Sequence, residues 1–204
     1  MELRSRRLIL RTFLELDLEP FCAYRSDPEV AKYQSWEAPY PREKAAAFIH
    51  AMRAREPPEP GQWYQLAIVV RSTRLMIGDC AFHILAEDPR QAEVAFTLAR
   101  RHQGHGYATE AVRCLLDYLF EELDLHRVIG ICDARNERSA RLLERIGMRR
   151  EAHHVECHWM KGEWTSEYEY ATLRWEWSAR RGGAAPRNGL DLAREGCNCG
   201  RSPA

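Results

Sequence analysis

Apolar and polar positions alternate over residues 7–13, and further short apolar-rich segments are bounded by turn residues; both patterns predict β-strands. The predicted strands cover residues 7–13, 64–70, 75–85, 91–98, 128–133, 150–159 and 168–177. Other segments repeat their apolar positions every three to four residues, as an amphipathic helix does. The predicted helices cover residues 17–25, 42–55, 107–123 and 137–146. Strands that alternate with helices and end in a hairpin predict one α/β domain with a mixed sheet.

The periodic pattern stops after Trp177, where Gly, Ala, Arg and Pro become the dominant residues. Such a segment has too few apolar residues to form a core. We therefore predict a folded domain over residues 1–177 and a disordered tail over residues 178–204. Cys197 and Cys199 lie in this tail, and two thiols do not complete a tetrahedral metal site. No metal is expected.

Composition narrows the classes of partner. The 204 residues include 30 basic and 30 acidic side chains, so the formal net charge is zero, which does not favour a nucleic-acid partner. No apolar run approaches the length of a membrane span, so no membrane partner is expected. Most of the seven cysteines stand singly inside patterned segments, as core residues of a reducing compartment do. These features favour the cytoplasm.

A glycine-containing turn at residues 100–111 carries the clearest chemical signal. Gly104 and Gly106 precede an amphipathic helix, whose first amides are unpaired and lie at the positive end of the helix dipole. Such a turn binds phosphate groups, and neighbouring arginines add charged hydrogen bonds. A Walker loop would need Gly-Lys-Ser/Thr, and a dinucleotide fingerprint would need a third glycine at Thr109, so both patterns fail. The alternative is an ordinary helix start.

The spacing Arg-x-x-Gly-x-Gly from Arg101 to Gly106 resembles the loop of the GNAT acetyltransferases, which holds the pyrophosphate of acetyl-CoA. Within that superfamily the chain is similar to the RimJ/RimL-like branch over residues 3–177. Further motifs of that branch occur in the expected order. They are Leu8-Ile9-Leu10-Arg11, Asp27-Pro28-Glu29-Val30, Ile77-Gly78, Glu93-Val94-Ala95-Phe96, His126-Arg127-Val128, Asn136-x-x-Ser139, Leu142-x-Glu144-x-x-Gly147-Met148 and Trp159-x-Lys161-Gly162-x-Trp164.

The resemblance implies a GNAT fold: a mixed, mostly antiparallel twisted sheet with splayed central strands and flanking helices. The pantetheine arm of acetyl-CoA is then expected in the gap between the splayed strands, bonded like an added strand. Ala95 stands where the branch commonly has glycine, and it is expected to alter the bulge in its strand. The implied cofactor-binding residues are Phe96, Thr97, Leu98, Arg100, Arg101, His102, Gln103, Gly104, His105, Gly106, Tyr107, Ala108, Thr109, Asn136 and Ser139.

Three residues are candidates for catalysis. Glu93 lies among apolar residues that would raise its pKa, which suits a base that takes a proton from an amine. The alternatives are that Glu93 pairs with an arginine and that His83 is the base. By resemblance, Ser139 is the acid that protonates the leaving thiolate, and Asn136 orients the reactants. Asn136 is equally a candidate helix cap, and Ser139 a solvated first-turn serine. A covalent route through Cys80 or Cys132 is less favoured, because no activating histidine lies near either in sequence.

The acceptor is expected to be a primary amine, either a protein N-terminus or a small amine such as an aminoglycoside-type antibiotic or a polyamine. By resemblance, the residues of the acceptor side are Trp36, Glu37, Trp63, Trp159 and Trp164, with His83 nearby; the alternative is that these large aromatics pack a core. Residues 151–170 hold five acids, which slightly favours a cationic acceptor. A non-catalytic acyl-CoA-binding module on the same fold is the alternative function. Both a monomer and a homodimer remain open.

Overall fold

An eight-stranded sheet forms the centre of the computed structural model, which describes residues 1–56 and 59–182. The strands lie in the order β1-β2-β3-β4-β5-β6-β8-β7. Their bounds are β1 Glu2–Arg4, β2 Leu8–Arg11, β3 Trp63–Val70, β4 Met76–Ile84, β5 Gln91–Leu98, β6 Arg127–Asp133, β7 Arg149–Met160 and β8 Glu163–Leu173. The helices are α1 Leu18–Arg25, α2 Pro28–Ala31, α3 Arg42–Ala54, α4 Tyr107–Asp117, α5 Glu137–Ile146 and α6 Arg174–Arg180.

Alternate residues of the central strands pack into two separate cores on opposite faces of the sheet. Leu66 and Ile68 of β3 face the larger core, which is closed by α4, α5 and α6. Ala67 and Val69, their neighbours, face the smaller core beneath α1, α2 and α3. These consecutive residues of β3 are therefore all buried while they face alternate cores, as expected for a sheet covered on both faces.

The two central strands, β5 and β6, part from one another along their length. They pair in parallel only at three positions, the last of which joins Glu93 to Ile129. All six other strand pairs of the described sheet are antiparallel. The predicted mixed, mostly antiparallel sheet with splayed central strands is therefore confirmed. The parting leaves one edge of β5 without a strand partner beyond Glu93 in the part of the chain described.

The end of the domain differs from the prediction. The strand predicted over residues 168–177 ends at Leu173, and helix α6 follows it. Trp175 and Trp177 alternate with charged residues and so imitate a strand, but Glu176 accepts a hydrogen bond from the Leu173 N–H at 2.8 Å and begins the helix. The predicted domain boundary at Trp177 thus falls inside α6. Residues 183–204 of the predicted tail lie outside the described residues.

Two smaller differences concern the end of helix α4 and two short elements, β1 and α2. The helix predicted over residues 107–123 ends at Asp117 and continues as a π-helical turn over Tyr118–Glu122. Strand β1 and the short helix α2 were not predicted, because three and four residues are too few to show a period. Within the described residues, no helix combines the length and the apolar character needed to span a bilayer.

Candidate active site

A cleft of about 900 Å³ lies between the end of β5, the start of α4 and the length of α5. Thirteen of the fifteen predicted cofactor-binding residues line it: Phe96, Thr97, Leu98, Arg100, His102, Gln103, Gly104, Gly106, Tyr107, Ala108, Thr109, Asn136 and Ser139. The sheet topology explains this agreement. The end of β5, the loop and the first turn of α4 are contiguous in the chain, and α5 follows the neighbouring strand β6.

The loop before α4 uses glycine where the backbone requires it. Gly104 and Gly106 have φ of 81° and 77°, in the left-handed region that disfavours residues with a Cβ atom. Gly106 is the residue before the helix, and no side chain of the described residues caps its amides. The first amide groups of Tyr107, Ala108 and Thr109 are therefore left for a ligand. With the helix dipole, they form a site that suits a pyrophosphate.

Arg101 and His105 do not line the cleft, unlike the other predicted loop residues. Arg101 is exposed and donates from Nε to Nε2 of His102 at 3.1 Å. The Nδ1 atom of His105 lies 2.8 Å from the Gln103 carbonyl, and its ring stacks near Tyr107. Burial first, and then the charge of Arg101, holds the pKa of His102 below its ordinary value. His102 is therefore neutral at pH 7.

A basic wall that sequence reasoning missed lies along α5. Arg138, Arg141 and Arg145 line the cleft together with Lys32 and Arg135. The first three are spaced three and four residues apart, which places them on one side of the helix. Arg138 also donates to the side-chain oxygen of Gln103 at 2.9 Å and so contacts the loop. The spacing of three and four residues between these arginines is visible in the sequence, and it would have predicted the basic wall.

Asn136 and Ser139 meet at the start of α5. Oδ1 of Asn136 accepts a hydrogen bond from the Ser139 N–H at 3.2 Å, so Asn136 is the N-cap of this helix. The capping role that the sequence left open is therefore present. Both residues also line the cleft, and the Asn136 amide nitrogen and the Ser139 hydroxyl are not needed for the cap. The two roles are compatible.

Glu93 lies at the point where β5 and β6 part. Its side chain is partly buried, and no ion pair to it is found in residues 1–56 and 59–182, so the predicted alternative of an arginine partner is not observed. Burial, and then the nearby charges of Glu167 and Glu169, raise the pKa of Glu93 to about 7. A carboxyl group with that pKa is close to half ionised at neutral pH, which suits proton transfer.

Trp63 and His83 stand beside Glu93 on the same face of the sheet. Trp63 pairs with His83 across β3 and β4, and His83 pairs with Glu93 across β4 and β5. The rings of Trp63 and His83 stack with centroids 5.2 Å apart. Small residues follow in the next row, where Ala81 faces Ala95. The ladder between β4 and β5 is regular from Ala92 to Leu98, so the bulge expected to be altered at Ala95 is not seen.

Other predicted acceptor residues are placed differently. Trp36 lies against the smaller core: its Nε1 donates to the Arg25 carbonyl at 3.0 Å, and its ring covers the Arg25 guanidinium at 4.1 Å. These contacts give Trp36 a structural role against Arg25, and its place on the acceptor side stays a prediction. Glu37 is exposed on the same segment. Trp159 and Trp164 form an exposed pair across β7 and β8, with centroids 5.4 Å apart.

The two cysteines considered for a covalent route are poor nucleophiles. Burial, and then the charge of Asp79, raises the pKa of Cys80 well above its ordinary value. Burial, followed by the charge of Asp133, raises the pKa of Cys132 to about 11. Both thiols are protonated at neutral pH, and the thiolate is the reactive form. The structure therefore gives no support to an acetyl-cysteine intermediate.

Comparison with known proteins agrees with this geometry. The model of the acetyltransferase (GNAT) domain family matches residues 7–149 of the chain. The chain belongs to the GNAT acetyltransferase family. The Bacillus subtilis protein named uncharacterized N-acetyltransferase YnaD is 32% identical to this chain over 178 residues, which cover 87% of this chain and 100% of that one.

Solved structures extend the comparison. A GNAT acetyltransferase from Bacillus anthracis has a TM-score of 0.77 and 30% identity, and the match covers 85% of this chain and 99% of that one. The spermidine N-acetyltransferase of Vibrio cholerae, solved with CoA and spermine, has a TM-score of 0.70. At 22% identity, over 83% of this chain and 97% of that one, it shows a common fold. In the described residues, no cluster of three or more His, Cys, Asp or Glu forms a candidate metal site.

Proposed function

We propose that this GNAT protein transfers an acetyl group from acetyl-CoA to a primary amine by direct attack in a ternary complex, and that it belongs to the RimJ/RimL-like branch. One observation carries the proposal. Along β5, the lining of the loop cleft begins at Phe96, and Glu93 lies three residues earlier on the same strand, at the point where β5 leaves β6. A donor bound in the cleft and an amine bound beside Glu93 would thus lie close to each other along β5. The ordered motifs from Leu8 to Trp164 support the branch assignment.

The donor half of the site suits the charge and shape of acetyl-CoA. Six basic side chains and two acidic ones line the cleft, so its charge is opposite to that of the cofactor's phosphates. The pyrophosphate is assigned to the amides that follow Gly106, and the basic wall of α5 lies beside it. The pantetheine arm is assigned to the free edge of β5 near Phe96, where unpaired strand groups accept an extended ligand.

Proton transfer in the reaction is assigned to Glu93 and Ser139. The amine must be neutral to attack, and the Glu93 carboxylate takes its proton directly or through one water molecule. The amine nitrogen then forms a bond to the thioester carbonyl carbon, and the carbon–sulfur bond breaks. The nitrogen loses its second proton to the Ser139 hydroxyl or to water, as that same group gives a proton to the departing thiolate. The products are an acetylated amine and free CoA.

The acceptor is proposed to carry positive charge. Glu93, Glu167 and Glu169 lie close enough for their charges to interact, which gives this face a negative potential. Glu169 is paired with Arg127 at 3.3 Å, whereas no ion pair to Glu167 is found in the described residues. A small polycationic amine fits this charge, and a peptide with a free N-terminus is the second acceptor class. The Vibrio relative solved with spermine supports the first class by analogy.

A screen of thiol release separates these possibilities. Acetyl-CoA is incubated with N-terminal peptides, polyamines and aminoglycosides, using wild type and the Glu93→Gln variant. We expect one amine class to release CoA with wild type and much less with the variant. Equal turnover by both proteins would remove Glu93 as the base. Binding of acetyl-CoA without thiol release for any amine would instead favour a non-catalytic sensing module.

The cysteines and helix α6 support proposals for the compartment and for the domain boundary. The five cysteines of the described residues are all unpaired, which supports a reducing compartment such as the cytoplasm. The domain is proposed to include α6 and thus to end near Arg180. Both a monomer and a homodimer agree with this arrangement, and size-exclusion chromatography with light scattering separates them.

A further inference from the structure

In the proposed function, the loop before α4 binds the pyrophosphate. Arg7, in the N-terminal turn, contacts this loop from outside the cleft. Arg7 lies between β1 and β2, and neither Arg7 nor Glu110 lines the cleft. Nη1 of Arg7 donates to the His105 carbonyl, inside the loop, at 3.1 Å. Its guanidinium lies over the Tyr107 ring at 4.5 Å from the centroid. Arg7 therefore contacts the residues on either side of Gly106.

The same arginine is tied to the first turn of α4 through Glu110. Oε2 of Glu110 accepts from Nε of Arg7 at 2.6 Å, and Oε1 accepts from the backbone N–H of Arg7 at 2.6 Å. The Ser5 hydroxyl donates to Oε1 at 2.7 Å. The ion pair is largely shielded, since 18% of the Glu110 side chain is exposed. Burial raises the pKa of Glu110, but the hydrogen bonds from Arg7 and Ser5 outweigh it and keep the carboxyl ionised.

Gln103 restrains the first half of the loop, since its side chain donates to the Leu98 carbonyl at 3.0 Å and accepts from Arg138 at 2.9 Å, whereas Arg7 acts on the glycine half. Gly104 has open space around its Cα, and both glycines lack the side chain that would limit φ. A loop that must be ordered on binding costs affinity, whereas a loop that is held in its bound conformation does not. The negative charge of Glu110 would also repel a phosphate at the helix start, and Arg7 neutralises it.

We propose that Arg7 is a positioning residue for the acetyl-CoA loop: through Glu110 and the His105 carbonyl, it holds the loop in its pyrophosphate-binding conformation before the cofactor arrives. This inference rests on the proposed function, in that the loop must bind acetyl-CoA. It adds that the affinity of the loop depends on a residue about a hundred positions away, which does not touch the cleft.

Calorimetry with CoA tests the inference without an acceptor. We expect Arg7→Gln to weaken CoA binding about tenfold and Glu110→Gln to weaken it by a similar factor. Because the two side chains share one ion pair, the double variant should lose less affinity than the sum of the two single losses. In steady-state assays, the KM for acetyl-CoA should rise while kcat and the KM for the amine stay near wild type. Arg7→Lys keeps the charge and should recover part of the affinity.

Arg11 supplies the matched control. It lies four residues along the same segment and pairs with the fully buried Asp17 at 2.6 Å, away from the loop. Arg11→Gln should lower the Tm at least as much as Arg7→Gln and leave CoA affinity unchanged. Wild-type CoA affinity in Arg7→Gln, or fully additive losses in the double variant, would overturn the inference and leave the proposed function standing. Failure of wild type to bind CoA would overturn both. If Arg7→Gln does not fold, wild-type affinity in Glu110→Gln overturns the inference.

Discussion

The donor cleft and the acceptor face of this enzyme are built from different parts of the chain. The proposed donor cleft takes its loop from one contiguous segment, residues 96–109, where backbone amides are the proposed ligands of the pyrophosphate. The acceptor face takes Trp63, His83, Glu93 and Glu167 from four strands, and it uses side chains. A site made of local backbone geometry leaves a motif in the sequence. A site made of side chains from distant strands leaves none until the sheet register is known.

The two regions also carry opposite charge. The donor cleft is basic along α5, whereas Glu93, Glu167 and Glu169 make the acceptor face acidic. This contrast matches an anionic donor and a cationic acceptor, and it keeps each substrate from the other's position. The difference teaches that each half has its own binding determinants, which variants should be able to affect separately.

The largest effect is expected at the two glycines of the donor loop. The Gly104→Val, Gly106→Val double variant places β-branched residues at positive φ, which the loop conformation does not tolerate. We expect calorimetry to show at least a hundredfold loss of acetyl-CoA affinity. Gly162→Val is the control, because Gly162 has φ of 83° and open space around it at the β7–β8 turn. Normal acetyl-CoA binding by the double variant would contradict the donor assignment.

The next effect is expected at Glu93, on the acceptor side. Glu93→Gln removes the proposed base and should lower kcat about a hundredfold, within the range for loss of acid–base catalysis. Acetyl-CoA affinity should stay at the wild-type value, since Glu93 does not line the donor cleft. His83→Gln is the companion variant, because His83 is the other candidate base. A larger loss of kcat in His83→Gln than in Glu93→Gln would transfer the role to His83.

A smaller effect is expected at the aromatic wall of the acceptor face. Trp63 is 37% exposed and stacks on His83, so an acceptor beside Glu93 would contact its ring. Trp63→Ala should raise the KM for the amine about fivefold, within the free energy of one aromatic contact, and leave the KM for acetyl-CoA unchanged. Arg145→Ala should do the reverse, because Arg145 belongs to the donor wall. Equal shifts of both constants in either variant would contradict the separation of the two halves.

The smallest effect is a shift in pH dependence. The active form of Glu93 is the carboxylate, so the rate should fall as pH drops through about 7. Glu167 contributes to the raised pKa by like charge. Glu167→Gln therefore lowers the pKa of Glu93, and the acidic limb of kcat/KM against pH should move to lower pH by roughly half a unit. A shift to higher pH, or no acidic limb near 7 in wild type, would contradict this.

The raised pKa of Glu93 also determines whether its contribution to folding stability rises or falls with pH. Because the pKa of Glu93 is higher in the folded protein than in the unfolded chain, the folded state binds more protons between about pH 4.5 and 7. Stability attributable to this group is thus present at low pH and lost as pH rises through 7. Glu93→Gln should raise the Tm relative to wild type more at pH 8 than at pH 5, as measured by thermal unfolding at both values.

Much of the fold followed from sequence because the periods were local. The strand at Gln91–Leu98 and the helix at Glu137–Ile146 have the predicted bounds. The helix at Arg174–Arg180 was predicted as strand, because alternating tryptophans mimic a two-residue period whichever structure they adopt. Local propensity does not decide between helix and strand in such a segment. The burial of Trp177, whose Nε1 donates to Asp117 at 2.9 Å, decides for the helix.

The candidate site divides in the same way. The loop residues were predicted together because they adjoin in sequence and their chemistry depends on the backbone. The contact of Trp36 with Arg25 was not predicted, because an aromatic residue gives no sign in the sequence of whether it covers a substrate or an internal arginine. The contact between Arg7 and Glu110 joins residues 103 positions apart, so no local pattern indicates it.

The parting of β5 and β6 has a thermodynamic consequence. Beyond Glu93, no strand of the described residues pairs with β5 on its β6 side, and an extended ligand in that gap would complete the sheet. Any molecule that binds only the folded chain stabilises it by mass action, by about 2.7 kcal/mol at a hundred times its Kd. In the cell, the lifetime of the folded enzyme would then increase with the supply of its acyl donor. The gap between β5 and β6 would thus link the abundance of the protein to the supply of its substrate.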